Sequence, residues 1–130
     1  MVAGDEAASA AYRLQVAIRE TTRVIEIAEG NDGNNLIGRP NGYTAAYVIE
    51  DSRVRCPEPP APVGVDCGAM IEEWPDEESA RRRSDYIQKV REDVPMLGQE
   101  YDTVRGTLLL RVSGALKPST AEAYSRVFMR

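Results

Sequence analysis

Histidine is absent from this 130-residue chain. Histidine is the commonest general base, a preferred zinc and copper ligand and the usual pH switch of proteins. Its absence excludes a serine–histidine–aspartate or cysteine–histidine catalytic centre. No catalytic residue, metal or cofactor is therefore predicted.

Long apolar runs and an excess of basic residues are also missing. No segment approaches the roughly 20 apolar residues that a membrane-spanning helix needs. The first residues have neither the basic segment nor the apolar stretch of a signal peptide. The chain has 16 Lys and Arg against 21 Asp and Glu, with a formal net charge of −5. This balance excludes nucleic acid as an expected partner, because phosphate contact needs a positive field.

The length and composition of the chain fit a single globular domain over residues 1–130. A chain of this size buries roughly two-thirds of its unfolded surface, and 42% of its residues are hydrophobic. The sequence contains no internal repeat and no linker between domains. Residues 1–4 are expected to be disordered or to have been added ahead of the domain.

Cysteine is scarce, and its two copies, Cys56 and Cys67, flank a segment with four prolines. A disulfide that closes a loop of about a dozen residues would stabilise the fold by roughly 3 kcal/mol. We therefore predict a Cys56–Cys67 disulfide and an oxidising, extracytoplasmic location. Two reduced thiols in a cytoplasmic protein are the alternative. A metal site is less favoured, because there is no histidine and no second cysteine pair.

The pattern of apolar residues predicts three helices and five strands. A first helix is predicted over residues 5–22 with Asp5 as its cap, although a helix unbroken to Glu29 competes with it. Strands are predicted over 23–28, 43–50, 69–74, 100–104 and 107–112, and helices over 76–93, with Asp76 as the cap, and from a capping box at Ser119. Three consecutive leucines, residues 108–110, predict a strand covered on both faces. The order α-β-β-β-α-β-β-α suits an α+β domain with the helices packed on one face of an antiparallel sheet.

Residues 30–44 are the most distinctive segment, with four glycines, one proline and five Asn or Asp residues. This composition opposes a regular helix or strand and predicts an ordered loop. Binding residues concentrate on loops that a rigid scaffold holds. The candidate binding residues are therefore Asn31, Asp32, Asn35, Arg39, Asn41 and Tyr43.

Two side-chain types in this loop have competing interpretations. The Asn and Asp oxygens suit calcium, but the spacing lacks the acidic residue that closes a helix-loop-helix calcium site. Asx turns that satisfy the backbone of the loop are favoured instead. Arg39 is expected to pin the loop through a carboxylate such as Asp51, with an external partner as the alternative.

Two charged clusters are interpreted as solvated surface. Arg81–Arg83 point in different directions on a helix and can pair with acidic residues three or four positions away. The acidic residues between Glu72 and Glu78 suggest the paired carboxylates of a glycoside hydrolase. A solvated edge and a helix cap are favoured over that interpretation. Trp74 is predicted to belong to the core.

Several short motifs carry a resemblance that covers residues 24–128. They are Asn31-Asp32 with Asn34, Leu36–Pro40, Tyr43-Thr44, Arg83–Ile87, Leu109–Ser113 and the spacing of Pro118, Ala121 and Tyr124. In these motifs the chain resembles a group of small extracytoplasmic lipoproteins and secreted domains of Gram-positive, mainly actinobacterial, bacteria. The resemblance implies export, and a lipid anchor only in a longer precursor, because this chain has no lipid-bearing cysteine. It implies no known activity.

The favoured hypothesis is a non-enzymatic extracytoplasmic domain that binds an unknown protein or small ligand at the cell surface. Contact with the membrane would come only through the lipid anchor of its precursor. A cytoplasmic structural or assembly subunit with reduced cysteines is the second hypothesis. The third is a carboxylate-based hydrolase of cell-wall sugars, which would need two carboxylates roughly 5 to 10 Å apart in a cleft.

Overall fold

A five-stranded antiparallel sheet forms the centre of the protein in a computed structural model that describes residues 4–58 and 60–130. The elements along the chain are α1 (Asp5–Ala17), β1 (Thr21–Glu26), β2 (Ala45–Asp51), β3 (Gly68–Glu73), α2 (Glu77–Asp93), β4 (Glu100–Arg105), β5 (Leu108–Ser113) and α3 (Pro118–Phe128). The strands lie in the order β1-β2-β3-β5-β4, and each neighbouring pair is antiparallel. The predicted α+β class and the order α-β-β-β-α-β-β-α are confirmed.

Each face of the sheet carries its own apolar core. Along β5, Leu108 and Leu110 join one core and Leu109 joins the other, and all three side chains are buried. Alternate residues of a strand point to opposite faces, so three consecutive leucines require both faces to be covered. That prediction is confirmed.

The helices are divided between these two faces. Helices α1 and α3 pack on the face of Leu108 and Leu110, with buried residues Ala7, Ala10, Ala11, Leu14, Ala121, Tyr124 and Phe128. Helix α2 packs on the opposite face through Ala80 and Ile87, beside the loop that precedes β2. The expected placement of the helices on one face thus holds for α1 and α3 and not for α2. A single helical layer would leave Leu109 in water at an unfavourable hydrophobic cost.

The first helix ends earlier than predicted. Helix α1 stops at Ala17, and Thr21 opens β1, with its hydroxyl donating to the Ile18 carbonyl over 2.6 Å. The β-branched residues at 21 and 22 favour a strand, so a helix that continues to Glu29 does not form. No described helix is long and apolar enough to cross a membrane.

The helix caps differ in part from those predicted. Asp76 caps α2 as expected, because its carboxylate accepts from the Ser79 N–H over 2.7 Å. The cap of α1 is Gly4, whose backbone N–H donates to the Glu73 carboxylate, so Asp5 lies inside the helix. Residues 1–4 were expected to be disordered or to have been added ahead of the domain; of these, residues 1–3 lie outside the described residues.

The last helix begins without the predicted capping box. Helix α3 starts at Pro118, and Lys117 is its N-cap with no side-chain hydrogen bond. Proline suits this position because its missing N–H would lack an intrahelical partner in any case. Ser119 therefore lies within the first turn.

Cys56 and Cys67 form a disulfide, as predicted. The segment between them contains no helix or strand before the short helical turn Val65–Cys67, and Pro59 lies outside the described residues. Val63 forms a parallel bridge with Asp32, and its N–H donates to the Asn31 carbonyl over 3.0 Å. The disulfide-closed segment thus supports the loop at residues 30–44.

Candidate functional site

The loop at residues 30–44 is built around the Asp32 carboxylate. This carboxylate is buried and accepts backbone N–H groups from Asn34, Leu36 and Ile37 at 3.0, 2.8 and 2.8 Å. It also accepts the Tyr43 hydroxyl. Burial alone would raise the pKa of Asp32, but these hydrogen bonds lower it below its usual value. The predicted Asx-type organisation of the loop is confirmed, because the loop satisfies its own backbone.

Special backbone angles complete the loop. Asn35 and Asn41 have φ values of 57° and 63°, and Gly38 has a φ of 68°. Asparagine and glycine adopt this left-handed region more readily than other residues. A Cβ at Gly42 would collide with the carbonyl oxygen of Leu36. These positions explain the composition of the segment.

Three of the six predicted binding residues have internal roles. The Asn31 amide accepts from the Ala28 N–H over 2.7 Å and donates to the Glu26 carbonyl over 3.0 Å. Asp32 holds the loop, and Tyr43 is fully buried. Burial and the hydrogen bond to Asp32 raise the pKa of Tyr43, so its hydroxyl stays protonated. Their part in binding stays a prediction.

The other three predicted residues, Asn35, Arg39 and Asn41, are exposed on the loop. Arg39 makes no ion pair within the described part of the chain. The expected partner, Asp51, is fully buried and instead accepts from Arg53 and from the Tyr124 hydroxyl, the latter over 2.7 Å. The prediction that Asp51 pins Arg39 is wrong.

A groove of about 610 Å³ lies between this loop and α2. Its α2 wall consists of Ser79, Arg82, Arg83 and Tyr86, which follow the i, i+3, i+4, i+7 spacing of one helix face. The loop contributes Asn34, Leu36 and Asn41, and Trp74 completes the lining. Of the residues that line the groove, only Asn41 is among the six predicted binding residues.

Trp74 links the groove to the core. The residue is 7% exposed, and its ring packs edge-on against Tyr43, with 5.9 Å between ring centroids and a 90° interplanar angle. Its indole N–H donates to Glu72 Oε1 over 3.0 Å. The prediction that Trp74 belongs to the core is confirmed, although one edge also meets the groove.

Behind the groove, Glu72 is a fully buried carboxylate in the central strand β3. Its oxygens accept from Arg83 Nε at 3.2 Å and from Arg111 Nη1 at 3.0 Å, in addition to Trp74. A buried charge is tolerated only when it is paired and hydrogen-bonded. The interpretation of Glu72 as part of a solvated edge is wrong, because α2 covers this face of the sheet.

The other members of the two charged clusters largely match their predicted roles. Arg81 and Arg82 form exposed pairs with Glu77 and Glu78, four residues earlier on α2. Arg83 instead turns inward to Glu72. The Arg81–Arg83 run therefore splits into two solvated side chains and one structural side chain.

A second buried carboxylate, Glu100, continues this charge network toward β4. Arg111 binds it through Nε at 2.7 Å and Nη2 at 2.9 Å, and Arg91 binds it at 2.7 Å. Burial would raise the pKa of Glu100, but the hydrogen bonds to Arg111 and Asp102 and the nearby arginine charges lower it to about 2. Glu100 is therefore an anion at neutral pH.

Asp102 lies two residues after Glu100 on the same face of β4, and its pKa is shifted in the opposite direction. Burial, the hydrogen bond to Glu100 and the charge of Glu100 raise the pKa of Asp102 to about 8. Its Oδ2 accepts from Gln88 over 3.0 Å, and Oδ1 is buried. The carboxyl of Asp102 is therefore protonated at neutral pH, and its proton supplies the donor for the hydrogen bond to Glu100.

The chemical character of the groove follows from its lining. Two arginines, two asparagines, a serine and two aromatic rings surround it with Leu36, and none of these residues is acidic. Glu72, Glu100 and Asp102 lie beneath α2 rather than in the lining. Within residues 4–58 and 60–130, no cluster of His, Cys, Asp and Glu side chains is arranged to hold a metal ion.

Sequence reasoning missed most of the groove because its walls come from separate parts of the chain. The stripe Ser79, Arg82, Arg83 and Tyr86 could have been found as a polar helix face that leaves Ala80 and Ile87 for the core. This helix face meets the loop only because of where α2 packs on the sheet, and no local sequence pattern predicts that position.

No protein-family model, curated protein sequence or solved structure matches this chain.

Replacing the Asp32 carboxylate will loosen the loop. We expect Asp32→Asn to lower the free energy of unfolding by about 1 to 3 kcal/mol at neutral pH, because an amide cannot accept at both oxygen positions. The pKa of Asp32 is lowered in the native state, so this carboxylate stabilises the fold above its unfolded pKa. The difference from wild type should therefore shrink as the pH falls through the native pKa. Urea unfolding measures this difference in stability. Asp66→Asn is an exposed control with the same charge change. Equal stability of wild type and Asp32→Asn at neutral pH would contradict the assigned role of Asp32.

Asp102 should make stability depend on pH in the opposite direction. Its pKa rises from 3.8 to about 8 on folding, so the native state binds the extra proton and wild type loses stability as the pH rises through that interval. Asp102→Asn imitates the protonated form. We expect the variant to gain at least about 1 kcal/mol on wild type between about pH 5 and about pH 9 in urea unfolding. Asp85→Asn, on the exposed side of α2, is the control, and a difference that stays constant with pH would refute the raised pKa.

Proposed function

We propose that this protein is a non-enzymatic extracytoplasmic domain that binds a ligand at the cell surface in the groove between the loop and α2. The observation that carries the proposal is the groove itself, which combines aromatic, amide and cationic side chains in about 610 Å³. Ligand sites are typically clefts of this size with aromatic walls and a few polar groups that set orientation. The bound ligand is a small molecule or an exposed portion of a surface partner.

The rigidity of both walls supports binding. The loop is fixed by the buried Asp32 carboxylate, and the α2 wall is fixed through the pairing of Arg83 with Glu72. A preorganised site loses less conformational entropy when it binds its ligand. The groove is thus ready for a ligand without rearrangement of its walls.

The chemistry of the lining favours binding over catalysis. A carboxylate-based hydrolase needs an acidic pair that reaches the substrate. The residues that line the groove include none, and Glu100 is engaged by Arg91 and Arg111. The hydrolase hypothesis therefore has less support than a binding role.

The Cys56–Cys67 disulfide supports the extracytoplasmic part of the proposal. Disulfides persist in oxidising compartments and are rare in the reducing cytoplasm. A cytoplasmic assembly subunit would keep these thiols reduced. The lipid anchor implied by the resemblance belongs to the same proposal.

Truncation of the exposed aromatic wall tests the binding role. We expect a screen of disaccharides, dipeptides, small carboxylates and phosphates against ¹⁵N-labelled protein to shift amide signals around the groove. Tyr86 is 63% exposed on α2, so Tyr86→Ala should fold normally and weaken binding of the hits at least about tenfold, as the loss of an aromatic anchor does.

Tyr12 offers a matched control for this variant. It is a 53% exposed tyrosine on α1, and Tyr12→Ala should leave the affinity of each hit unchanged. Signal shifts confined to surfaces other than the groove, or an unaffected Tyr86→Ala variant, would count against the groove as the binding site.

The thiol state of the native protein tests the compartment. We expect alkylation of protein isolated from its natural host, followed by intact mass measurement, to label Cys56 and Cys67 only after reduction. Protein isolated under acid-quenched conditions controls for oxidation during preparation. Two thiols labelled without reduction would remove this support for export and favour the cytoplasmic alternative.

A further inference from the structure

We infer that the groove binds an anionic, hydroxyl-rich ligand of the acidic-sugar class, with Arg82 contacting the negative group. This inference rests on the proposed function, because it names the ligand class of the same groove. It follows from how the two arginines of the lining are paired and from the polar groups around them.

The two arginines differ in availability. The Arg83 side chain is 11% exposed and bound to the buried Glu72, so its charge is compensated within the protein. The Arg82 side chain is 70% exposed, and the one ion pair it makes among the described residues joins it to Glu78 over 3.7 Å. Arg82 is therefore the cation that the groove offers to a ligand.

The pairing of Arg82 with Glu78 is easily replaced. The Glu78 side chain is 85% exposed, and ion pairs between solvated side chains contribute about 0 to 1 kcal/mol. A carboxylate or phosphate can bind guanidinium through two parallel hydrogen bonds, which is a stronger arrangement. An anion that enters the groove can thus displace Glu78 from Arg82 at little cost.

The remaining acidic side chains of this region lie outside the groove. Glu77, Glu78 and Asp85 line a separate depression with Arg81 and Arg82. Arg82 stands between that acidic depression and the groove, which has no acidic residue in its lining. The arrangement directs an anion to the loop side of Arg82.

The neutral part of the ligand is indicated by the rest of the lining. Asn41 is exposed, and its side chain has no hydrogen-bond partner in the part of the chain that the structure describes. Tyr86 also lines the groove, and its exposed side chain lies on α2 four residues after Arg82 and three after Arg83. An amide binds hydroxyl groups, and an aromatic ring packs against the apolar face of a sugar ring. A ligand with only apolar substituents would leave the amide unsatisfied.

The net charge of −5 helps to test the inference, because nonspecific binding of an anion to this protein is unfavourable. An acidic protein repels polyanions in general, so retention of an anionic saccharide requires a local site. The probes are trigalacturonate and the neutral trisaccharide galactotriose, titrated into ¹⁵N-labelled protein at low salt. We expect trigalacturonate to shift signals of the groove, to bind at least about tenfold more tightly than galactotriose, and to weaken as salt is added.

Two substitutions on α2 separate a specific contact from loss of charge. Arg82→Gln should weaken trigalacturonate binding at least about tenfold, whereas Arg81→Gln should change it by less than about twofold. Arg81 is a matched control, because it also pairs with a glutamate four residues earlier, its side chain is 61% exposed, and it is not in the lining. Both side chains are solvated, so both variants should keep the wild-type circular dichroism spectrum.

The outcomes distinguish this inference from the proposed function. Equal binding of both trisaccharides in the groove, with Arg82→Gln unaffected, would overturn the anionic ligand class and leave the groove as a binding site. Trigalacturonate shifts that lie outside the groove, or none at all, would overturn the inference as well. The proposed function is tested separately, by whether the broader screen shifts groove signals and whether Tyr86→Ala weakens binding of the hits.

Discussion

The packing of α2 against the sheet depends on one constraint, the burial of Glu72 in the central strand β3. A carboxylate in that position loses the hydration it has in the unfolded chain, so it must be surrounded by donors. Arg111 supplies one from the neighbouring strand, Trp74 supplies one from the end of β3, and Arg83 supplies one from α2. The position of α2 is therefore set by a charge in the sheet.

This requirement extends into an alternating series of charges. Arg111 bridges Glu72 and Glu100, and Arg91 closes the series from the last turn of α2. Two points of α2 are thus tied to the sheet by ion pairs, with only Ala80 and Ile87 of this helix fully in the core. The opposite face has a different character, because α1 and α3 pack there mainly through alanine, leucine and aromatic side chains.

Local patterns in the sequence were sufficient for the elements of the fold. The leucines at 108–110 predicted a doubly covered strand, Asp76 predicted the start of α2, and Cys56 with Cys67 predicted a disulfide. The prediction that the helices pack on one face did not take these leucines into account, because a strand with two apolar faces needs cover on both. These features depend on a few neighbouring residues or on a single pair of one residue type.

The pairing of charges and the groove depended on distant residues and could not be predicted. Glu72 and Arg111 are 39 positions apart, and Asp51 and Tyr124 are 73 positions apart. Within the sequence, Glu72 stands in an acidic run that resembles solvated surface, and only the tertiary fold shows that it is buried. The groove arises where α2 meets the loop, so its lining also depends on contacts between residues that are distant in the sequence.

The loop at residues 30–44 separates the side chains that define its shape from those that meet the solvent. Asp32 and Tyr43 point inward and fix the backbone, whereas Arg39 is outside this hydrogen-bonded centre. Exposed positions of this kind can change in charge or size while the backbone conformation is retained. The surface of the loop is in this respect evolvable, since new side chains can be displayed at Arg39 on a frame that other residues encode.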